Sequence, residues 1–405
     1  MEQTLRRHTW TSWSGSIQFT PERLLTPVDE TALQQIVKET YHQGKTLRVV
    51  GASHSCSDIY TTKETLINMD KFTGLLGADP GAQTAVLLPN TTIEAVGEAI
   101  APYALAMENM GHIDKQTLAG AISTGTHGAG KYLANLSSQL HGVRLISGTG
   151  AIHDFDADQH PEMMQALRVS LGSIGLFTAV KLKLLPQYRL VRKQYRASLD
   201  DCLAQLDELM ELHRNFCFYW YPRRDDVTIR TWNEEDRQVP DLPFGQLYKE
   251  MRGYAKDVLP SEQTLKFNEL EYSVDLRDAV PCFLEIRQRI KEKHRKDVGW
   301  RVLFRPVKGD GNWLSNGYGK STVAAITLHQ NASLPYQAYF DDVEPIFHAY
   351  GGRPHWGKKH SMRAADLEQL YPRWADFQRI RTQFDPQGIF LNEHLKTIFT
   401  HDEQQ

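Results

Sequence analysis

Residues 104–130 set Gly111, Gly120, Gly125, Gly128 and Gly130 among Ser123, Thr124, Thr126 and His127. The stretch is too long for a single turn. It suits backbone packed against a ligand, and its N–H groups and hydroxyls can bind a pyrophosphate without any basic cluster. A chain organised around such a segment has to wrap other elements about it.

The flanking text alternates helix and strand signals, as an α+β unit does. Asp29 caps a helix whose apolar stripe is Leu33, Ile36, Val37 and Tyr41, and Gly44 stops it before the apolar run Leu47 to Val50. Strands are predicted at 65–69 and 84–88, and Thr91 with Glu94 forms a capping-box pattern ahead of Ile93, Val96 and Ile100. A strand pair follows at 142–146 and 152–155, then a helix at 161–169, and then LGSIG at 171–175 opens a strand to Leu184. From Arg189 the character changes: aromatic residues cluster in NFCFYWYP at 215–222, a charged loop follows, and helices are predicted near 262–270 and 283–295. Beyond Arg353, Leu367, Leu370, Trp374, Phe377 and Ile380 are spaced for buried helices. The expected division is 1–188, 189–350 and 351–405.

Composition narrows the function. With 46 Lys+Arg against 49 Asp+Glu over 405 residues the formal charge is −3, which argues against a nucleic-acid partner. No apolar run reaches the roughly 18 residues of a spanning helix, and no secretion signal is legible, so a cytoplasmic protein without a transmembrane segment is expected. Cys56, Cys202, Cys217 and Cys282 form no CxxC pair and are expected to be reduced and mostly buried. No G-x-G-x-x-G separates a strand from a helix, and GYGKS at 317–321 would need its first P-loop glycine at Leu314; both nucleotide motifs fail. His355 and His360 have no third ligand nearby in the sequence, and no metal site is expected.

Context singles out His54. In RVVGASHSCSD at 48–58 an apolar strand delivers a glycine and then small residues around one imidazole, so a flat ring can approach the backbone closely.

Seven ordered motifs carry a resemblance: WTSWSGS near the start, VVGASHS, NMGHIDKQTLAGAISTGTHGAG, LGSIG, WLS at 313–315, RPHWGK at 353–358, and a tail with Tyr371-Pro372, Asp385-Pro386, Phe390 and Asn392. The chain resembles the sugar-lactone and polyol oxidase branch of the vanillyl-alcohol-oxidase-like flavoproteins, the group of gulonolactone, arabinonolactone and alditol oxidases. The resemblance implies an α+β fold, with a PCMH-type FAD-binding domain of two α+β subdomains. A cap (substrate) domain, built on an antiparallel sheet with flanking helices, interrupts it. It implies FAD bonded covalently through His54, with Gly51, Ala52, Ser53, Ser55 and Ser57 along the pyrophosphate or ring. Gly111, Thr117, Gly120, Ser123, Thr124, Thr126 and His127 would line the other side, with Gly172 and Gly175 of LGSIG also at the cofactor.

The expected chemistry is oxidation of a CH–OH group of a lactone, polyol or related alcohol, with dioxygen as the acceptor. A dehydrogenase passing electrons to a quinone or cytochrome is the alternative, and a flavin-binding protein without catalysis a third reading. Arg305 and Lys358 match the two cations of the family pattern, and His112 and His329 are candidates for the base. Gly111 matches the position that limits oxygen access to the flavin. Leu303 stands where the family pattern has a glutamate, from which Arg305 is expected to lack a carboxylate and the substrate to be less polar than an aldonolactone.

Overall fold

The parts of the chain with helix-strand alternation and the parts with long two-residue alternation form separate sheets in the computed structural model, which describes residues 9–261 and 264–401. Near the N-terminus, Arg23–Leu25, Thr65–Asn68 and Leu47–Val50 make a parallel three-stranded sheet in that order. The helix Glu30–His42 crosses over between two of its strands, and the Asp29 carboxylate accepts from Ala32 N at 2.8 Å as its cap. Leu33, Ile36 and Val37 bury against Leu47, Ile67 and the late residue Phe390. A five-stranded antiparallel sheet lies beside it in the order 152–156, 140–147, 175–183, 84–87, 75–79.

The larger sheet has eight strands, all antiparallel, in the order 246–254, 189–198, 226–234, 215–221, 302–308, 322–331, 267–275, 353–354. Its strands alternate faces with a period of two. Phe218 and Phe304 stack at 4.9 Å on one face, and Phe283 of the helix Ala279–Arg289 meets Phe218 edge-on at 5.3 Å. These rings are fully buried, each worth roughly 1.5–3 kcal/mol of transfer free energy. The odd-numbered residues of the central strands turn to the opposite face, toward the glycine-rich segments.

Three local readings are corrected. Of the helix expected near 262–270, Glu262 and Gln263 lie outside the described residues, and Phe267–Asp275 is a strand. Its charged residues suggest a helical surface, but Leu270, Tyr272 and Val274 alternate into the core. The charged loop after 222 is a short turn followed by the strand Asp226–Glu234. The cap of the helix Ile93–Ile100 is Thr92, which accepts from Ala95 N, while the Thr91 hydroxyl donates to Leu88 O at 2.7 Å. The four cysteines are free and buried, and no helix among the described residues is long and apolar enough to cross a membrane.

Candidate active site

The strand Leu47–Val50 ends at Gly51, and a Cβ there would stand 2.1 Å from Thr117 Oγ1, so only glycine lets the loop pack on the second glycine-rich segment. Ser53 takes a left-handed conformation (φ 56°). Its carbonyl accepts from Trp13 N at 2.9 Å and its hydroxyl from Trp10 Nε1 at 2.8 Å. That turn presents His54, whose ring lies 5.1 Å from that of Trp13. His54 Nδ1 is buried with no partner among the described residues, and burial pulls the imidazole pKa down to about 4. The loop is tied to distant chain: Cys56 N donates to Gly357 O at 2.7 Å, Ser57 Oγ to Trp356 O at 2.8 Å, and Asn392 Nδ2 to Asp58 O and Thr61 O at 2.8 Å.

Between these segments runs a glycine cleft with about 1030 Å³ of empty space. Gly51, Ala52, Ser53, His54 and Ser55 form one wall; Thr117, Gly120, Ser123 and Thr124 another; Gly172 and Gly175 a third. Ser57 is not in the cleft, its hydroxyl being spent on Trp356. Gly111, Thr126 and His127 are also absent from this wall and line a second cavity instead. The charged side chain in the cleft wall is Arg48, which donates to the carbonyls of Leu171, Gly172 and Phe390 (2.9, 3.0 and 2.6 Å). Burial pulls its pKa down to about 10.

The second cavity, with about 890 Å³ of empty space, meets the first at His54, Ser55, Gln116 and Thr124. Its other wall is the odd face of the eight-stranded sheet. The register sets Leu303, Thr327 and Glu271 in one row and Arg305, Ala325 and Ser273 in the next; His329 pairs with Glu269 on the other side.

Arg305 donates to Glu271 at 2.5 Å and to His127 O at 3.2 Å. Lys358 bridges Glu271 (2.8 Å) and Glu269 (2.9 Å). His127 Nε2 donates to Glu271 at 2.8 Å, His329 contacts Glu269 at 2.9 Å, and the Thr327 hydroxyl bonds Glu271. Burial by itself would raise both carboxyls, but Lys358 with Arg305 and His127 holds Glu271, and Lys358 with His329 holds Glu269, far below the usual carboxylate range. The Lys358 ammonium is held charged against burial by the same two carboxylates. Arg305 therefore does have a carboxylate. The group missing at Leu303 is supplied across the row by Glu271, two strands away.

His112 sits across this cavity with Nδ1 3.0 Å from the Tyr219 hydroxyl. Burial, then Arg305, Arg230, Arg301 and Arg192, push its pKa well below the ordinary imidazole value. Burial likewise lowers His329, against the pull of Glu269. His355, without a third ligand in sequence, stands beside His127 and Glu271 in a buried cluster with metal-ligand spacing; Arg305 and Lys358 already occupy that carboxylate and would repel a cation.

Sequence reasoning missed Glu269, Glu271, Arg301 and Tyr219. The available signal was the two-residue alternation of FNELEYSVD, which puts both glutamates on one face of a strand.

Comparison with known proteins bears on this pair of cavities. The FAD binding domain family matches residues 21–156, the part that builds two of the three cleft walls. The D-arabinono-1,4-lactone oxidase family matches residues 180–255 and 237–398, which carry the sheet face and Lys358. The chain belongs to the D-arabinono-1,4-lactone oxidase family. Among relatives of this lactone oxidase family member, an L-gulono-1,4-lactone dehydrogenase of Mycobacterium tuberculosis (strain H37Rv) is 28% identical over 96% of this chain and 98% of its own length. An L-gulonolactone oxidase of Mus musculus is 25% identical over 96% and 97%. A D-arabinono-1,4-lactone oxidase of Yarrowia lipolytica is 29% identical over 58% and 45%. A crystal structure of cholesterol oxidase from B. sterolicum superposes with a TM-score of 0.84 over 98% of this chain and 97% of that one, at 14% identity, which speaks for the fold alone.

The residues present fit FAD. The glycine cleft offers backbone amides and hydroxyls along three walls. The buried, unpartnered His54 Nδ1 points to a group that the cleft would hold.

Proposed function

We propose that this protein is an FAD-dependent oxidase of a CH–OH group in a sugar lactone, polyol or related alcohol, with the flavin tethered through His54 and dioxygen as acceptor. The observation that carries this reading is the meeting of two unlike cavities at His54. One is lined by backbone and hydroxyls; the other holds buried cations fixed by buried carboxylates.

FAD, when bound, supplies a two-electron sink that takes the hydride from the carbinol carbon while the hydroxyl proton leaves to a base, and dioxygen takes the pair on as hydrogen peroxide. Lys358 and Arg305 contribute positive charge at fixed positions, so that anionic charge developing beside them is stabilised without reorganisation. Glu269 and Glu271 hold those cations in place and keep the buried charge balanced. His112 is the better candidate for the base, because only Nδ1 is engaged in a described contact; both nitrogens of His329 are engaged, by Glu269 and Arg301 O. Gly111 lines the second cavity close against Thr126, where an added Cβ would stand 3.1 Å from Thr126 Cγ2, and its lack of a side chain is the feature we propose favours access by a small oxidant.

Anaerobic flavin bleaching over lactones, alditols and simpler alcohols tests the donor class. Oxygen uptake with and without a dye acceptor separates this reading from the dehydrogenase reading. For the tether, acid-precipitated wild type should stay yellow and His54→Ala should release its flavin; a colourless wild-type pellet at full loading rejects the bond.

A further inference from the structure

The charges around the second cavity do not cancel. Glu269 and Glu271 are consumed by Lys358 and Arg305, yet the sheet face brings further cations to the same space. Arg301 lines the cavity beside Tyr219. Its guanidinium lies 4.0 Å from the centre of the Tyr219 ring and 5.2 Å from that of Trp300. Stacking of this kind fixes the guanidinium plane and leaves its edge N–H groups available. Its Nε is buried without a partner, and no ion pair joins its side chain to a carboxylate among the described residues.

Arg230 reaches the same tyrosine from the next strand. It donates to Tyr219 Oη (3.3 Å), Ser261 Oγ (3.0 Å) and Gln194 Oε1 (3.2 Å), neutral acceptors in each case. Arg192 bonds the carbonyls of Val258 and Pro260 and the Ser261 hydroxyl, again with no carboxylate. Three arginines thus gather at Tyr219 and Ser261 without a counter-charge among the described residues. The register explains the imbalance. Leu303 is opposite Tyr219 and two residues beyond Arg301, so this position brings no carboxylate to the group. Uncompensated positive charge in a partly desolvated site is costly, and an anionic ligand removes that cost.

We propose, on the footing of the oxidase reading above, that the favoured donor carries an ionised carboxylate held by Arg301 with Arg230 behind it, and so is a sugar-acid type of hydroxy acid rather than a neutral lactone. The carboxylate matches the planar fork of the guanidinium. It is a handle and takes no part in electron transfer: the hydride and the hydroxyl proton still leave one carbinol centre, and the carboxylate is unchanged.

The test uses the flavin-loaded full chain and a matched pair of compounds, L-gulonate and L-gulono-1,4-lactone, with D-glucuronate as a second acid. The acids should reduce the flavin with kcat/KM at least tenfold above the lactone at low salt, and added NaCl should narrow that ratio. Arg301→Gln should lower the acid-to-lactone ratio of kcat/KM at least tenfold, whereas Arg301→Lys, which keeps the charge and loses the fork, should lower it less. Equal or better turnover of the lactone, with a ratio that Arg301→Gln leaves unchanged, overturns the proposal while leaving the oxidase reading intact. If no compound reduces the flavin, the oxidase reading fails on its own, and D-gluconate binding, followed by perturbation of flavin absorbance, decides the anion site. Saturable binding that Arg301→Gln weakens tenfold supports the site, and no perturbation in wild type rejects it.

Discussion

In the glycine cleft, the groups that face a ligand are backbone amides and hydroxyls, and Arg48 spends its donors on carbonyls. Across His54, the second cavity presents Glu269, Arg301, Arg305 and Lys358, with Glu271 buried behind them, from segments scattered between residues 269 and 358. Backbone recognition demands local sequence, because the glycines and small residues must adjoin one another. Side-chain recognition demands a sheet, because register alone brings its members into rows. The first arrangement tolerates few substitutions at its glycines; the second can draw a charged partner from another strand of the sheet, as Arg305 draws Glu271 from two strands away.

The sharpest way to break the contrast is at Lys358. Lys358→Met removes the bridge between two buried carboxylates, and flavin reduction at saturating donor should fall about 10²–10³-fold, the usual scale for loss of one preorganised charge. Flavin content should stay at the wild-type value, since the glycine cleft is untouched; a matching loss of flavin would show the two cavities to be one cooperative unit. Absorbance at 450 nm against 280 nm, alongside stopped-flow reduction, reads both. Gly51→Ala is the converse. Its Cβ would clash with Thr117 Oγ1, an overpacking cost of about 1–3 kcal/mol, and purified protein should carry well under half its flavin while the melting temperature of the apoprotein shifts by only a few degrees.

Much of the glycine cleft was legible in the sequence because its chemistry is contiguous: VVGASHS and the 109–130 segment put Gly51, His54, Thr117 and Thr124 where the fold needs them. Even there, Gly111, Thr126 and His127 were assigned to the cofactor wall though they face the second cavity. Adjacency along the loop hides which side each residue takes. The second cavity was legible only in Arg305, Lys358, His112 and His329. Glu271 was missed because the segment 262–270, read as helix, lost its two-residue period. The expectation of an unpaired Arg305 followed from treating Leu303 alone, whereas a carboxylate can reach an arginine from across the sheet.

A smaller effect is expected inside the second cavity. Gly111→Ala adds a Cβ 3.1 Å from Thr126 Cγ2, so reoxidation by dioxygen should slow about tenfold while reduction by donor changes less. Stopped-flow traces with equal oxygen reactivity in both proteins would remove Gly111 from the control of oxygen access. The smallest effect lies far from either cavity. Burial would raise the Asp225 carboxyl, but Arg287, Lys291 and the Trp220 indole hold it down at about 2, against an ordinary 3.8. Its ion pairs contribute stability present above pH 3.8, and that stability is lost as pH falls through about 2. Asp225→Asn keeps a side chain suited to the left-handed φ of 61° and should flatten the acid-unfolding curve between about pH 4 and pH 2, lowering stability near neutrality by about 1–2 kcal/mol. Trp220 fluorescence reports this region, because its indole N–H donates to Asp225 at 2.9 Å, while flavin absorbance reports the cleft; a simultaneous loss of both signals in the variant would tie the two regions together.

The loop that presents His54 is fastened to Trp356, Gly357 and Asn392, and its preceding strand to Ile389 and Phe390. The bond from Ser57 to Trp356 spans 299 residues. At a synthesis rate of about 5–20 residues per second, the ribosome delivers that partner roughly 15–60 s after the loop has emerged. Until then the nascent chain has the glycines of the cleft but not its fastening. Flavin loading is accordingly a late event in biogenesis, and a ribosome stalled before residue 356 would release a chain with the flavin motif in full and no fastened pocket to hold the cofactor.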